Sequence, residues 1–313
     1  MVELAPLAGL ALPKTYQAQR DFLLVTEQMK DLGAVLKKFL NAQKILNSEE
    51  ILTRLAFEAC EDAYNDGVRI LELRYAPTFI ADGHRHLSFE KIHLSFLKGL
   101  EMARKKFPLA VGLICIVQRI KPVTEAAAVC DFAIEHNDSL LGLDLADNED
   151  GFDPNQFSAI FKKAKQAGLH ITVHSGEANT PASAKWVKDS IEILGAERIG
   201  HGIQIIKDQN ILNFVRDRKI PLEVCPISNW LTQAFSTHEE HPIQKLIHAG
   251  VLVTINSDDP GVFATQLSDD YEVLHRAHNF QMAEFDHAND IAAKASFITL
   301  EEKQRVWPRE ILS

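Results

Sequence analysis

Four short apolar runs between residues 170 and 260, each ending in polar residues able to do chemistry, constrain the fold more than any other feature of this chain. A helical pattern separates each run from the next, and the runs are HITVHSGE (170–177), RIGHG (198–202), PLEVCPISN (221–229) and VLVTINSDDP (251–260). Strands of a parallel sheet that is covered on both faces are apolar throughout, and in a βα barrel catalytic residues follow their carboxyl ends. The alternation therefore predicts an α/β fold, a (β/α)8 TIM barrel, with its site at one rim.

Upstream of these runs, the same pattern predicts three more strands: VRILELRYAP (68–77), LAVGLICIV (109–117) and LLGLDLA (140–146). Helical periodicity predicts a pair of helices within 31–66 and single helices over 88–106, 124–136, 154–168, 267–280 and 291–306. A closed barrel of this type needs eight strands, so the first strand is expected to be missing from this chain.

The length of 313 residues suits one barrel, which typically takes roughly 250 residues before insertions. We therefore expect a single domain over 1–313, with an N-terminal helical part at 1–66, the barrel strands at 68–260 and closing helices at 261–313. The formal charge of −10 argues against nucleic acid as a partner, because phosphate binding depends on Lys and Arg patches. A small solute is the better expectation.

The expected location is the cytoplasm, with no membrane partner. No apolar stretch reaches the ~18 residues needed to span a bilayer, and Met1 is not followed by a secretory signal pattern. The cysteines form no CxxC pair, and most lie within apolar runs, as is typical of reduced, buried thiols: Cys60, Cys115, Cys130 and Cys225.

His174, Glu177 and His201 are candidates for metal binding or proton transfer. His174 and Glu177 stand three positions apart, and the intervening Gly176 allows a sharp turn that brings both side chains to one small volume. His201 lies between two glycines at the end of another short strand. Each pattern alone fits a histidine satisfied within a loop, and their common position at strand ends favours a shared site.

Asp258 and Asp259 follow the last apolar run and precede Pro260-Gly261. An Asp-Asp-Pro turn that caps the next helix explains them equally well when they are taken alone. Two like charges so close need a cation or a proton, which favours a metal ligand beside a group that bonds a substrate. Cys225 is expected to be a buried structural thiol rather than a ligand.

The motifs HSGE, RIGHG, EVCPISN and SDDP, with ELRYAP (72–77) and LDLA (143–146), resemble the adenosine deaminase family of zinc-dependent amidohydrolases. The resemblance runs from about residue 2 to the C-terminus. It implies hydrolytic deamination of adenosine or 2′-deoxyadenosine to the inosine product by a zinc-activated hydroxide, and so a purine nucleoside as the partner. By resemblance, His174 and Asp258 are zinc ligands, Glu177 protonates the purine N1, His201 is the base and electrostatic partner of the hydroxide, and Asp259 contacts N7.

The chain departs from that family at its beginning. The family begins with a strand that ends in a His-x-His pair, which supplies two more zinc ligands, and nothing similar occurs before residue 31. We therefore expect a mis-assigned start, or a spliced or trimmed chain, rather than a new way of binding one Zn²⁺. His84 and His86 form another His-x-His pair, but their flanking Gly83 and Ser88 predict a solvated loop instead of a metal site.

A second departure concerns the substrate. Asp147 stands where the family usually has a glycine whose amide meets the purine at N3, so it is a candidate substrate-binding residue that adds a side chain to the base pocket. Gly200, which precedes His201, resembles the nucleoside enzymes, because adenine deaminases commonly carry aspartate there. The alternatives are a deaminase of adenine or of a modified adenosine, or a catalytically silent chain that binds purines.

Overall fold

A computed structural model of the protein describes residues 1–310. These residues contain one parallel sheet whose strands follow each other in chain order, as the apolar runs predict. The strands are β1 (Ile70–Tyr75), β2 (Ala110–Gln118), β3 (Leu140–Ala146), β4 (His170–Ser175), β5 (Arg198–His201), β6 (Leu222–Val224) and β7 (Val253–Ile255). Seven strands in sequential parallel order, counted over 1–310, confirm the α/β barrel with one strand fewer than eight.

The register aligns the carboxyl ends of the strands. Ser175 at the end of β4 pairs with His201 at the end of β5, and Val224 of β6 pairs with Ile255 of β7. Because all strands run the same way, the loops that follow β3, β4, β5 and β7 open on one side of the sheet. This side carries the polar residues that follow each apolar run.

Helices cover the outside of the sheet and pack apolar faces against it. In chain order they are α1 (Leu4–Leu7), α2 (Tyr16–Leu23), α3 (Leu32–Gln43), α4 (Glu49–Asn65), α5 (Pro77–Ala81), α6 (Phe89–Lys106), α7 (Val123–Glu135), α8 (Ser158–Gln166), α9 (Ser183–Glu192), α10 (Gln209–Asp217), α11 (Pro226–Leu231), α12 (Ile243–His248), α13 (Pro260–Phe263), α14 (Leu267–His278), α15 (Met282–Ala295) and α16 (Leu300–Val306). Short 3₁₀ helices occur at Pro154–Phe157, Ile203–Lys207 and His238–Glu240.

The predicted helices agree with this order except in two places. The helix predicted over 291–306 is two helices, α15 and α16, because the chain turns at Ser296, whose backbone ψ is 137°, and Thr299 caps α16 through its side chain. The helix predicted over 154–168 begins as a 3₁₀ turn and becomes α-helical only at Ser158. The apolar periodicity shows neither change, because both depend on local capping.

The inner face of the sheet is ionic, which the apolar runs did not suggest. Arg74 of β1 donates to Asp144 of β3 at 2.9 Å and to Glu223 of β6 at 2.5 Å. Arg198 of β5 lies 2.7 Å from both Glu72 of β1 and Glu223. Except for Arg198 with Glu223, which joins the neighbouring β5 and β6, these pairs connect strands that are not neighbours in the sheet, so they hold the curled sheet together. Two arginines share three carboxylates there, and buried charges are tolerated when they are paired in this way.

The N-terminal helices form their own small apolar cluster beside the sheet, built from Leu4, Leu23, Ile45 and Ile51. The division into a helical part, strands and closing helices of one domain stays a prediction, and residues 311–313 of its last segment lie outside the described range. All the cysteines, each within the described part, are free and buried, as predicted. Among residues 1–310, no helix combines the length and the apolar character needed to cross a bilayer.

Candidate active site

The side chains of His174, Glu177, His201 and Asp258 converge at the carboxyl ends of the strands. The Nε2 atom of His201 lies 3.5 Å from Oε2 of Glu177 and 3.9 Å from Oδ2 of Asp258. The ring centroids of His174 and His201 are 5.3 Å apart. The structure thus brings together four residues that the sequence placed at three different strand ends.

Three of these residues could hold a metal ion. Nitrogen or oxygen atoms of His174, His201 and Asp258 lie within 4.8 Å of one another. Zinc binds such atoms at about 2.0–2.2 Å, so one ion could lie between them. Nδ1 of His174 lies 2.8 Å from Oδ2 of Asp144, although it is not aligned for a hydrogen bond. A carboxylate behind the far ring nitrogen is typical of a metal-binding histidine, so the donor set fits zinc.

Left-handed backbone is concentrated at this rim. His201 has φ 62°, Asp258 has φ 58° and Asp147 has φ 85°, conformations that cost an L-residue roughly 1–3 kcal/mol each. Gly176, between His174 and Glu177, has φ 75° and so confirms the sharp turn that its position predicted. The backbone therefore turns sharply at these positions, which lie at or just beyond the strand ends.

The charged network inside the sheet includes His174, because Asp144 contacts both Arg74 and this histidine. Burial opposes ionisation of Asp144, but His174 and Arg74 outweigh it and hold the pKa of this carboxyl well below its usual range. For His174 the balance is similar: burial lowers the pKa, Asp144 raises it, and the net direction is upward. Asp144 is therefore an anion directly behind the candidate metal ligand.

Asp258 and Asp259 differ in their surroundings. Burial disfavours the Asp258 anion, but His201, His174 and the Ser228 hydroxyl lower the pKa of Asp258 overall. Although Asp259 is exposed by surface area, desolvation of its carboxyl and the adjacent Asp258 charge raise its pKa. The pair therefore favours one carboxylate and one carboxylic acid, as two adjacent acidic groups require.

Helix α11 and the residue after it bind three of the converging side chains, and sequence reasoning missed these contacts. Ser228 donates to Oδ2 of Asp258 at 2.7 Å, and Thr232 donates to Oε1 of Glu177 at 2.9 Å. Asn229 Nδ2 lies 3.0 Å from Nδ1 of His201. The available signal is the polar Ser-Asn pair at the end of the third motif, where the apolar run predicts a strand end and the chain forms a short helix.

Glu149 holds the backbone on both sides of Glu177. Its Oε2 accepts from the Gly176 amide at 2.9 Å, and its Oε1 accepts from the Ala178 amide at 2.5 Å. Burial raises the pKa of Glu149, against the attraction of Arg119 and these two amides. No local sequence pattern identifies Glu149 as a support of the site, because its partners are 27 and 29 positions away.

Asp147 directly follows β3, and the hydrogen bonds of its carboxylate are made with groups outside the converging cluster. Oδ2 accepts from Gln118 Nε2 at 2.7 Å, and Oδ1 accepts from the Asn148 amide. Gln118 in turn accepts from the Thr78 hydroxyl at 2.7 Å. The carboxylate is therefore held in a fixed position at the rim.

His84 and His86 bind the turn between α3 and α4. Their Nε2 atoms bond to backbone carbonyls, that of Gln43 at 3.1 Å and that of Asn47 at 2.8 Å. Cys225 is buried, and its desolvation raises the pKa of its thiol well above the usual value, so it is a protonated thiol. These observations agree with a structural interpretation of all three residues.

A parallel α/β barrel with histidine and aspartate side chains converging beyond its strands is the arrangement expected of a hydrolase of the amidohydrolase type. The chain belongs to the adenosine deaminase family, whose family model matches residues 1–310. The predicted class of enzyme, a deaminase hydrolase, is therefore confirmed.

Individual relatives and solved structures that are similar to this chain carry different names. The adenosine deaminase of Plasmodium knowlesi is 35% identical over 288 residues, which cover 91% of this chain and 78% of that protein. The solved adenine deaminase of Arthrobacter aurescens is 26% identical, with a TM-score of 0.89 over 97% of this chain and 91% of the other. Arabidopsis ADAL complexed with IMP is 25% identical, with a TM-score of 0.83 over 97% and 89% of the two chains.

Proposed function

We propose that this protein deaminates adenosine and 2′-deoxyadenosine hydrolytically, releasing ammonia and the inosine product, within purine metabolism. The observation that carries the proposal is the convergence of Glu177, His201 and Asp258 with His174, all with their polar atoms at one strand rim. This set contains the groups that the reaction needs: metal ligands, a carboxyl able to hold a proton, and an imidazole. A cytoplasmic location stays a prediction.

We assign Zn²⁺ to His174 and Asp258. Bound Zn²⁺ supplies a nucleophile at neutral pH, because it lowers the pKa of a coordinated water to about 7. The Asp144 carboxylate lies 2.8 Å from Nδ1 of His174, and the Ser228 hydroxyl donates to Oδ2 of Asp258 at 2.7 Å. Both ligands are thus oriented by neighbouring groups, as metal ligands usually are.

Glu177 is the proposed proton donor to the ring nitrogen. Its Oε1 accepts the Thr232 hydroxyl, so Oε2, the oxygen that faces His201, is the one left to take part in proton transfer to the purine. A proton on the ring lets C6 become tetrahedral without leaving a negative charge on the purine. Glu149 fixes the backbone at both neighbours of Glu177, which keeps this oxygen in place.

We propose a nucleoside as the substrate, with Asp259 and Asp147 as the groups that contact the base. A Cβ atom at position 200 would lie 3.2 Å from Cα and Cγ of His174, so a side chain such as the aspartate of adenine deaminases would press on the proposed ligand. Similar solved structures that are named adenine deaminase and N6-methyl-AMP deaminase keep adenine and a modified adenosine as alternatives.

The test combines zinc content with turnover. The purified protein is analysed for zinc and assayed with adenosine, 2′-deoxyadenosine, adenine, N6-methyladenosine and AMP, before and after chelation. We expect zinc near one per chain, turnover fastest on the first two substrates, and loss of turnover on chelation that added Zn²⁺ reverses. Faster turnover of adenine or of AMP would replace the proposed substrate. Purine binding without zinc or turnover would indicate the silent chain.

A further inference from the structure

A line of buried hydrogen bonds leads from a backbone amide to His201. The amide of Ile243 donates to Nδ1 of His241 at 3.2 Å. Nε2 of His241 lies 3.2 Å from Oδ1 of Asn229, and Nδ2 of Asn229 lies 3.0 Å from Nδ1 of His201. The three side chains are 5%, 0% and 2% exposed, so water does not compete for these bonds.

The direction of donation along this line is set at its backbone end. A backbone N–H can only donate, so Nδ1 of His241 must present its lone pair. Burial, with the neighbouring His278 and His238, lowers the pKa of His241 to about 3, so this ring is neutral and carries its one hydrogen on Nε2. Asn229 therefore accepts through Oδ1 and has to donate through Nδ2. The opposite orientation of the Asn229 amide would place two donors face to face.

We propose that Asn229 and His241 are positioning residues that hold His201 as the tautomer with hydrogen on Nε2 and a lone pair on Nδ1. The Nε2–H group then faces Oε2 of Glu177 at 3.5 Å and Oδ2 of Asp258 at 3.9 Å. In this tautomer Nε2 has no lone pair for a metal ion. His201 is therefore a hydrogen-bond donor in the resting site, although its position also brings it within reach of the metal-binding cluster.

His174 is held in the opposite way. Its Nδ1 lies 2.8 Å from the Asp144 carboxylate, and the negative charge there favours hydrogen on Nδ1 over Nε2, which leaves the Nε2 lone pair available. Two histidines whose rings are 5.3 Å apart are thus given different functions by the partners behind them. His174 offers a metal ligand, and His201 offers an N–H toward the oxygen that is added to the purine. The second statement depends on the proposed function, whereas the tautomers do not.

The decisive measurement is NMR of protein labelled with ¹⁵N in its histidine rings. Two-bond ¹H–¹⁵N spectra distinguish a ring nitrogen that carries hydrogen from one that carries a lone pair, and the His201 signals are those that disappear in His201→Gln. We expect hydrogen on Nε2 of His201 in the metal-free protein, and the same tautomer after Zn²⁺ is added. Hydrogen on Nδ1 in the metal-free protein, or loss of the Nε2 hydrogen on adding Zn²⁺, overturns the proposal.

Two variants test the cause. An aspartate at position 229 can only accept, so Asn229→Asp is expected to draw hydrogen onto Nδ1 of His201, whereas Asn137→Asp on the exposed surface should change nothing. His241→Phe removes the donor to Asn229 and should give a mixture of both tautomers. An unchanged His201 spectrum in a folded Asn229→Asp protein contradicts the relay. If neither variant folds, the spectra of the unsubstituted protein still decide the tautomer. A protein that shows the expected tautomer but does not deaminate adenosine refutes only the proposed function.

Discussion

Gly176→Ala should destabilise the protein through one identifiable contact. An alanine Cβ at this position would lie 2.5 Å from Cγ2 of Val187 on α9 and 3.2 Å from Cα of Gly202. Real Cβ atoms do not come so close to a methyl group, so either α9 or the loop must move. In addition, φ at Gly176 is 75°, a conformation that costs an L-residue roughly 1–2 kcal/mol.

The matched control is Gly151→Ala. Gly151 has a similar φ of 82°, but a Cβ there would meet nothing within 4 Å. Gly151→Ala should therefore cost only the conformational term, whereas Gly176→Ala should cost about 1–3 kcal/mol more, the usual range for overpacking a core. Urea denaturation at pH 7 gives both changes in the free energy of unfolding.

The contact itself is tested by adding Val187→Ala to Gly176→Ala. Because this removes the clashing methyl group, the double variant should be more stable than the sum of the single changes by about 1–3 kcal/mol. Turnover should follow the same order, since Gly176 joins His174 to Glu177 and a misplacement of about 1 Å can cost on the order of 100-fold in rate. Equal costs for Gly176→Ala and Gly151→Ala, or simple additivity with Val187→Ala, would refute the reasoning.

Three further predictions follow from the site and its supports. Glu177→Gln should retain zinc but lower turnover by at least about 100-fold, because glutamine cannot deliver a proton to the purine ring. Metal analysis and an adenosine assay check this, and near-normal turnover would contradict the role assigned to Glu177. Glu149→Ala should reduce the free energy of unfolding by roughly 1–3 kcal/mol for each of the Gly176 and Ala178 amides, because both lose their acceptor. Asp150→Ala at an exposed position should change it little, and equal urea midpoints would count against this function of Glu149. Burial disfavours the Glu223 anion, but Arg74 and Arg198 outweigh it and lower the pKa of Glu223 from 4.5 to about 2. The Glu223 carboxylate therefore stabilises the folded protein by about 3 kcal/mol above pH 4.5, and this stabilisation is lost as pH falls toward 2. Urea titrations at several pH values should show the stability difference between the unsubstituted protein and Glu223→Gln shrinking over that range, and a constant difference would exclude this origin.

The barrel was predictable because its signals are local. A buried strand, the glycine or proline at the end of a helix, and a polar cluster directly after an apolar run are all visible within about ten residues of sequence. The positions of β1 to β7 follow from these runs, and the sharp turn at Gly176 follows from its place between His174 and Glu177. The convergence of the site also followed, because the carboxyl ends of parallel strands share one side of the sheet.

The supports of the site were not predictable in this way. Asn229 reaches His201 across 28 positions, Thr232 reaches Glu177 across 55, and Glu149 reaches the Ala178 amide across 29. Nothing in local periodicity relates such pairs, and the third motif favoured a strand end where the chain in fact begins helix α11.

By itself, the sequence determined the order of strands and helices, the rim on which the polar residues lie, and the chemical type of the groups available there. Only the tertiary structure decided which partner stands behind each group. Asp144 lies behind Nδ1 of His174 and Asn229 lies behind Nδ1 of His201, so two imidazoles of identical chemistry turn Nε2 toward the same small volume with different partners behind them. The physical reason is that hydrogen bonds depend on distances and directions set by strand register and by the curvature of the sheet, whereas sequence patterns record only what is close along the chain.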